Sequence, residues 1–87
     1  SGVPRDYAKA VEMLQKAAEK GNDYAMCLLA QCFFMGHGVE KDITQAVLWL
    51  TQAAKLGHAE SQYQLGRLLV EGRSVEQDFE EGIEWLV

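Results

Sequence analysis

An internal repeat of 36 residues constrains the fold of this 87-residue chain more than any other feature. Residues of the same type recur at this interval with no insertion or deletion. Asp6, Asp42 and Asp78 are 36 residues apart, and so are Trp49 and Trp85. A period of 20 to 50 residues is the sequence signature of solenoids and other stacked-repeat folds. The positions of the recurring residues divide the chain into a partial repeat at 1–21, a full repeat at 22–57 and an incomplete repeat at 58–87.

Within one period, the apolar residues follow helical spacing. After Asp42 they recur at steps of three, four and seven, which is the spacing of one helical face. Asp42 is suited to cap this helix and Gln45 to complete a capping box, whereas Asp6 keeps only the cap. Gly21 and Gly57 stand where a left-handed C-terminal cap is wanted, and Gly36 ends the helix before the long loop. The pattern predicts an all-α right-handed superhelix (solenoid) of antiparallel helix pairs without strands. The predicted helices are about Arg5–Lys20, Asp23–Met35, Asp42–Leu56, Ala59–Glu71 and Asp78–Val87.

The helix before each long loop has a predicted core face. Its members are Ala25, Leu29, Cys32 and Phe33, repeated as Ser61, Leu65, Leu68 and Leu69. Trp49 and Trp85 lie on apolar stripes of the other helices, so we expect them in the core between repeats. His37 lies between two glycines, and we expect it to be a solvated loop residue.

These features resemble Sel1-like repeats, which are relatives of the tetratricopeptide repeat. The resemblance rests on residues 25–59, AMCLLAQCFFMGHGVEKDITQAVLWLTQAAKLGHA, and extends over essentially the entire chain. The chain departs from the pattern at two positions. The repeat position of Gly38 is occupied by Ser74 in the next copy, and the repeat position of Trp49 is occupied by Met13 in the preceding copy. The resemblance implies a non-enzymatic scaffold or adaptor that holds other proteins. Its binding surface would be a concave face lined by the first helix of each pair.

The helix face beside the predicted core carries residue types that anchor protein ligands. These candidate binding residues are Tyr24, Cys27, Gln31 and Phe34, repeated as Glu60, Tyr63, Arg67 and Val70. One interpretation is a groove for a peptide or protein segment. The other is that the aromatic side chains only pack between adjacent helices.

Two functions follow from these interpretations. The first is a protein–protein interaction module that binds its partner on the concave face. The alternative is a structural or regulatory repeat segment of a larger protein, such as an enzyme. The chain begins in an interhelix loop and stops within a helix, so we expect a piece of a longer solenoid. Its apolar ends would then favour self-association.

Charge and hydropathy argue against other partners. Lys and Arg total 8 and Asp and Glu total 13, so the net charge of −5 disfavours nucleic acids and anionic membrane surfaces. The longest apolar run has about eight residues, whereas a membrane span needs roughly 20, so no membrane insertion is expected. An acidic cluster is expected to form a solvated helix start, with a site for a basic partner as the alternative. Its members are Glu76, Asp78, Glu80, Glu81 and Glu84.

We expect no catalytic, cofactor or metal site. Three serines and two histidines form no recognisable triad motif, and the chain has no phosphate-binding loop. Cys27, Cys32, His37 and His58 lack the paired spacing of zinc ligands. A separation of five residues directs the two thiols to different sides of a helix and disfavours a disulfide. Unpaired thiols, and the lack of a signal peptide in this segment, slightly favour the cytoplasm.

Overall fold

The computed structural model describes residues 6–71, apart from the side chain of Leu69. Within this range the backbone forms four α-helices of 13 residues and no strand. They are α1 (Tyr7–Glu19), α2 (Asp23–Met35), α3 (Ile43–Lys55) and α4 (Ala59–Glu71). The first four predicted helices are therefore confirmed. The predicted fifth helix, with Trp85 and the acidic cluster, lies outside the described residues.

Side-chain caps begin the helices. The Asp6 carboxylate accepts a hydrogen bond from the Lys9 N–H at 3.0 Å, and Asp42 accepts one from the Gln45 N–H at 3.1 Å. Both predicted caps are confirmed. The predicted capping box at Asp42 is wrong, because the Asp42 N–H donates to the Phe33 carbonyl at 2.9 Å instead of to Gln45. This bond ties the start of α3 to α2.

Left-handed glycines end α1 and α3. Gly21 has φ +95° and Gly57 has φ +94°, as predicted for C-terminal caps. At the end of α3, the Gly57 N–H donates to Ala54 at 3.0 Å and the His58 N–H donates to Ala53 at 3.1 Å. This pair of bonds is a Schellman motif, and α1 ends in the same way. Each motif reverses the chain within three residues and produces an antiparallel helix pair.

The core consists of two apolar clusters, because each helix packs against the next along the chain. One cluster joins α2, α3 and α4 through Cys27, Ala30, Ala46, Leu50, Ala54 and Leu65. The other joins α1, α2 and α3 through Val11, Ala18, Ala25, Met26, Leu29 and Ala53. Trp49 packs against both clusters, which confirms its predicted place between repeats. The many buried alanines let the helix backbones approach closely.

The loop at 36–42 folds back onto the start of α1. Gly36 ends α2 with φ +72°, as predicted. His37 is exposed, as expected of a loop residue, but its ring also stacks on Tyr7 with the ring centroids 4.7 Å apart. The loop therefore contributes a contact between repeats in addition to connecting α2 with α3.

Candidate protein-binding groove between α2 and α4

A groove with a volume of about 670 Å³ lies between α2 and α4. The wall contributed by α4 consists of Glu60, Tyr63, Gln64, Arg67, Leu68 and Glu71. These residues recur every three or four positions, so they form one continuous stripe along the helix. The opposite wall consists of Gln31, Phe34 and Met35 of α2. We call this feature the α2–α4 groove.

The groove brings together five of the eight residues predicted to form the binding face: Gln31, Phe34, Glu60, Tyr63 and Arg67. Tyr24 is 59% exposed but lies outside the groove, where its ring is 6.2 Å from that of His58. Val70 is half-buried and does not line the groove. The predicted face is therefore centred on the second half of α2 and on α4.

Cys27 lies in the core rather than on this surface, with only 2% of its area exposed. Its thiol is hydrogen-bonded to the hydroxyl of Ser61 on α4, which is itself fully buried. The expected surface position is wrong because α4 packs directly over this part of α2. The residue functions as a link between the two helices that form the groove.

His58 extends this link to the start of α4. Its Nδ1 atom lies 2.7 Å from the Ser61 Oγ and accepts a hydrogen bond from the Ser61 N–H at 3.3 Å. Because Nδ1 accepts the backbone bond, the Ser61 hydroxyl donates to the same atom. His58 thus caps α4 and positions Ser61 towards Cys27. These contacts hold α2 and α4 together at one end of the groove.

The two thiols are held in their neutral form. Burial raises the pKa of the Cys27 thiol, and the negative charge of Glu60 adds to this shift, whereas the hydrogen bond between Cys27 and Ser61 opposes it. Burial also raises the pKa of Cys32. Reactive cysteines instead have a lowered pKa and an electropositive, accessible setting. Neither thiol has the environment of an activated nucleophile.

Contacts along α4 order the side chains of its groove wall. The Arg67 guanidinium lies 5.8 Å from the centre of the Tyr63 ring, and its Nη2 atom is 3.5 Å from the Glu71 carboxylate. One turn earlier, the Gln64 amide donates to Glu60 at 2.9 Å. Such pairs, three or four residues apart, favour one arrangement of neighbouring side chains. The groove thus presents an aromatic ring, amides and charges of both signs.

Four lining residues were not among the predicted binding residues: Met35, Gln64, Leu68 and Glu71. Gln64 and Glu71 lie one helical turn after Glu60 and Arg67, so the same helical spacing identifies them. Leu68 was assigned to the core face, and it does pack on the core while also lining the groove. Met35 likewise lies one helical turn after Gln31, so this spacing identifies it as well.

The side chains and helix lengths of residues 6–71 bear on metal binding and on membrane insertion. No group of three or more His, Cys, Asp or Glu side chains there is arranged to hold a metal ion. None of the helices in that range has the length and apolar character needed to cross a membrane.

The antiparallel pairs and their 36-residue period define an α-helical repeat solenoid. The chain belongs to the Sel1 repeat family, whose model matches residues 1–22, 23–58 and 59–86. Sel1 repeats are typically protein-interaction modules and are generally non-catalytic scaffolds. No curated protein matches the chain.

Two solved structures resemble this chain with a TM-score of 0.86. One is a protective antigen of uropathogenic Escherichia coli with an SLR fold, 30% identical over 97% of this chain. The other is a Sel1 repeat protein of Oxalobacter formigenes, 31% identical over 97% of this chain. The chain spans only 18% of the first protein and 34% of the second.

Proposed function

We propose that this chain is a non-enzymatic binding module that holds a peptide or protein segment in the α2–α4 groove. The observation that carries the proposal is the exposed Tyr63 ring, 57% accessible, with the Arg67 guanidinium above it. Tyr and Arg are enriched among the residues that contribute most to protein binding energy. Phe34, on the facing wall, adds apolar surface to the same groove.

The size and order of the groove support this proposal. Its volume of about 670 Å³ lies within the range of roughly 300–1,000 Å³ typical of binding clefts. Contacts along α4 already restrain Tyr63, Gln64 and Arg67 before a ligand arrives. Ordering side chains opposes association, so a wall that is partly ordered in advance loses less entropy on binding.

Two tyrosines provide a matched test of the groove. Tyr63 and Tyr24 are 57% and 59% exposed, but only Tyr63 lines the groove. A peptide array would identify ligands, and NMR titration of the 87-residue chain would give their Kd values. We expect Tyr63→Ala to weaken binding about tenfold or more, and Tyr24→Ala to change it less than about twofold. Equal effects of the two variants, with both folded by circular dichroism, would contradict the assignment.

A structural role in a larger protein is the second candidate. This candidate is supported by coverage, because the chain spans only 18% of one similar solved protein and 34% of the other. In that case the groove side chains only pack, and no peptide on the array binds the wild-type chain. The same experiment therefore separates the two functions.

A further inference from the structure

We propose that the α2–α4 groove selects a basic segment, with a Lys or Arg side chain at Glu60. A large apolar side chain four residues away in the ligand would then rest on Phe34 and Leu68. This inference rests on the proposed function, because it specifies which segment the groove holds.

The charges on α4 leave one end of the groove negative. Arg67 and Glu71 form an ion pair at 3.5 Å and largely cancel each other. Glu60 instead accepts a hydrogen bond from the neutral amide of Gln64, and within residues 6–71 no cation pairs with it. A carboxylate offers about four acceptor positions, so this bond leaves room for a ligand cation.

The position of Glu60 also favours an incoming cation. The residue is exposed in the first turn of α4, where a ligand can reach its carboxylate. The net charge of −5 on the chain adds a longer-range attraction for basic ligands.

The geometry of α4 sets the spacing within the ligand. Glu60 and Leu68 are eight residues apart, which corresponds to about 12 Å along a helix. An extended peptide rises about 3.3 Å per residue, and alternate side chains share a face. A basic and an apolar side chain four residues apart therefore match this distance and point into the groove together. A spacing of three would direct them to opposite faces.

Designed peptides provide the test. The probes are capped 11-residue Gly/Ser peptides with one Lys and one Leu four residues apart, made in both orders. Companion peptides carry Glu in place of Lys, or have the Lys and Leu three residues apart. Binding to the 87-residue chain is measured by NMR titration at about 50 mM and about 500 mM salt, because screening weakens exposed ion pairs.

A charge reversal, with a matched control, tests the role of Glu60. We expect the wild-type chain to prefer the Lys peptide over the Glu peptide by roughly three- to tenfold, and Glu60→Lys to reverse this preference. Glu12→Lys makes the same change in net charge at an exposed position of α1, and we expect it to keep the preference of the wild type for the Lys peptide. The preference should shrink at the higher salt concentration.

Different results would contradict the basic-segment inference and the proposed function. Equal binding of the Lys and Glu peptides, with binding lost in Tyr63→Ala, would overturn the basic-segment inference and leave the proposed function standing. A reversal produced by Glu12→Lys would also overturn it, since net charge rather than Glu60 would then select the ligand. Failure of every array peptide and every designed peptide to bind would overturn both proposals.

Discussion

Gly38 lies so close to Tyr7 that a Cβ atom on this glycine would overlap the Tyr7 carbonyl group. Its φ of +80° is a second reason for glycine, because other residues rarely adopt that conformation. The contact lets the loop at 36–42 close over the start of α1, where His37 stacks on the Tyr7 ring. Backbone contact between loop and helix therefore helps to join successive repeats.

Gly38→Ala tests this contact, with Gly57→Ala as the control. Both glycines have positive φ, but nothing lies within 4 Å of a Cβ built on Gly57. We expect Gly57→Ala to lower the unfolding free energy by about 1 kcal/mol through backbone strain alone. Gly38→Ala should lower the unfolding free energy by about 1–2 kcal/mol more than Gly57→Ala does, because the Tyr7 backbone must also move. Urea denaturation measures both variants, and equal losses of stability would contradict the role of the contact.

The cap of α4 is tested by replacing His58. The equivalent residue one period earlier is Asn22, whose side chain accepts the Ala25 N–H at 2.9 Å and caps α2. We therefore expect His58→Asn to retain most of the stability, and His58→Ala to lose about 1 kcal/mol. Thermal unfolding followed by circular dichroism measures both. If the Asn variant is as unstable as the Ala variant, His58 does not act mainly as a cap.

Two neighbouring residues on α3 allow the stability contribution of a core side chain to be compared with that of an exposed one. Trp49 packs against both core clusters, whereas Leu48 is 54% exposed. We expect Trp49→Ala to lower the unfolding free energy by about 3 kcal/mol through lost burial and the cavity it leaves. Leu48→Ala should change it by less than about 0.5 kcal/mol. Chemical denaturation of the two variants would show the difference, and comparable losses would refute it.

The buried thiols predict a loss of stability at alkaline pH. Burial raises the pKa of Cys27 and Cys32 in the folded chain above the ordinary value of 9.0. Below about pH 9 the thiols are protonated in both the folded and the unfolded chain, so their contribution to the unfolding free energy is fully present. Above about pH 9 the unfolded chain releases these protons first, and the unfolding free energy falls until the thiols of the folded chain also titrate.

The Cys27→Ala variant provides the comparison for this effect. We expect the unfolding free energy of the wild type to fall more steeply above pH 9 than that of the variant. The difference is at most about 1.4 kcal/mol per pH unit for this thiol. Urea denaturation between pH 7 and pH 11 measures it, and parallel curves for the two proteins would rule the effect out.

Self-association remains a prediction, and Met13 is a site at which to test it. This residue occupies the position of Trp49 one period earlier, but 66% of its surface is exposed. We expect Met13→Glu to weaken association of the chain, because burying the new charge is unfavourable. Gln52→Glu, an exposed change of equal charge on α3, should leave association unchanged. A monomeric wild type at high concentration in sedimentation velocity would contradict the prediction.

Several features of the fold were predictable because they depend on residues close together in the sequence. The caps at Asp6 and Asp42 use hydrogen bonds that reach three residues forward. The left-handed ends at Gly21 and Gly57 use bonds to the last turn of the same helix. The 36-residue period then orders these local units into antiparallel pairs, and the family match confirms the repeat.

Tertiary structure decided which helix faces are covered. Helical spacing gives the angle at which a side chain leaves its helix, but it does not say where the next repeat will pack. Cys27 and Tyr63 are equivalent by the repeat, yet Cys27 is buried against Ser61 while Tyr63 is exposed in the groove. The sequence alone determined the period, the helices and their ends. Packing of α4 on α2 decided that Cys27 lies in the core while Tyr63 stays exposed.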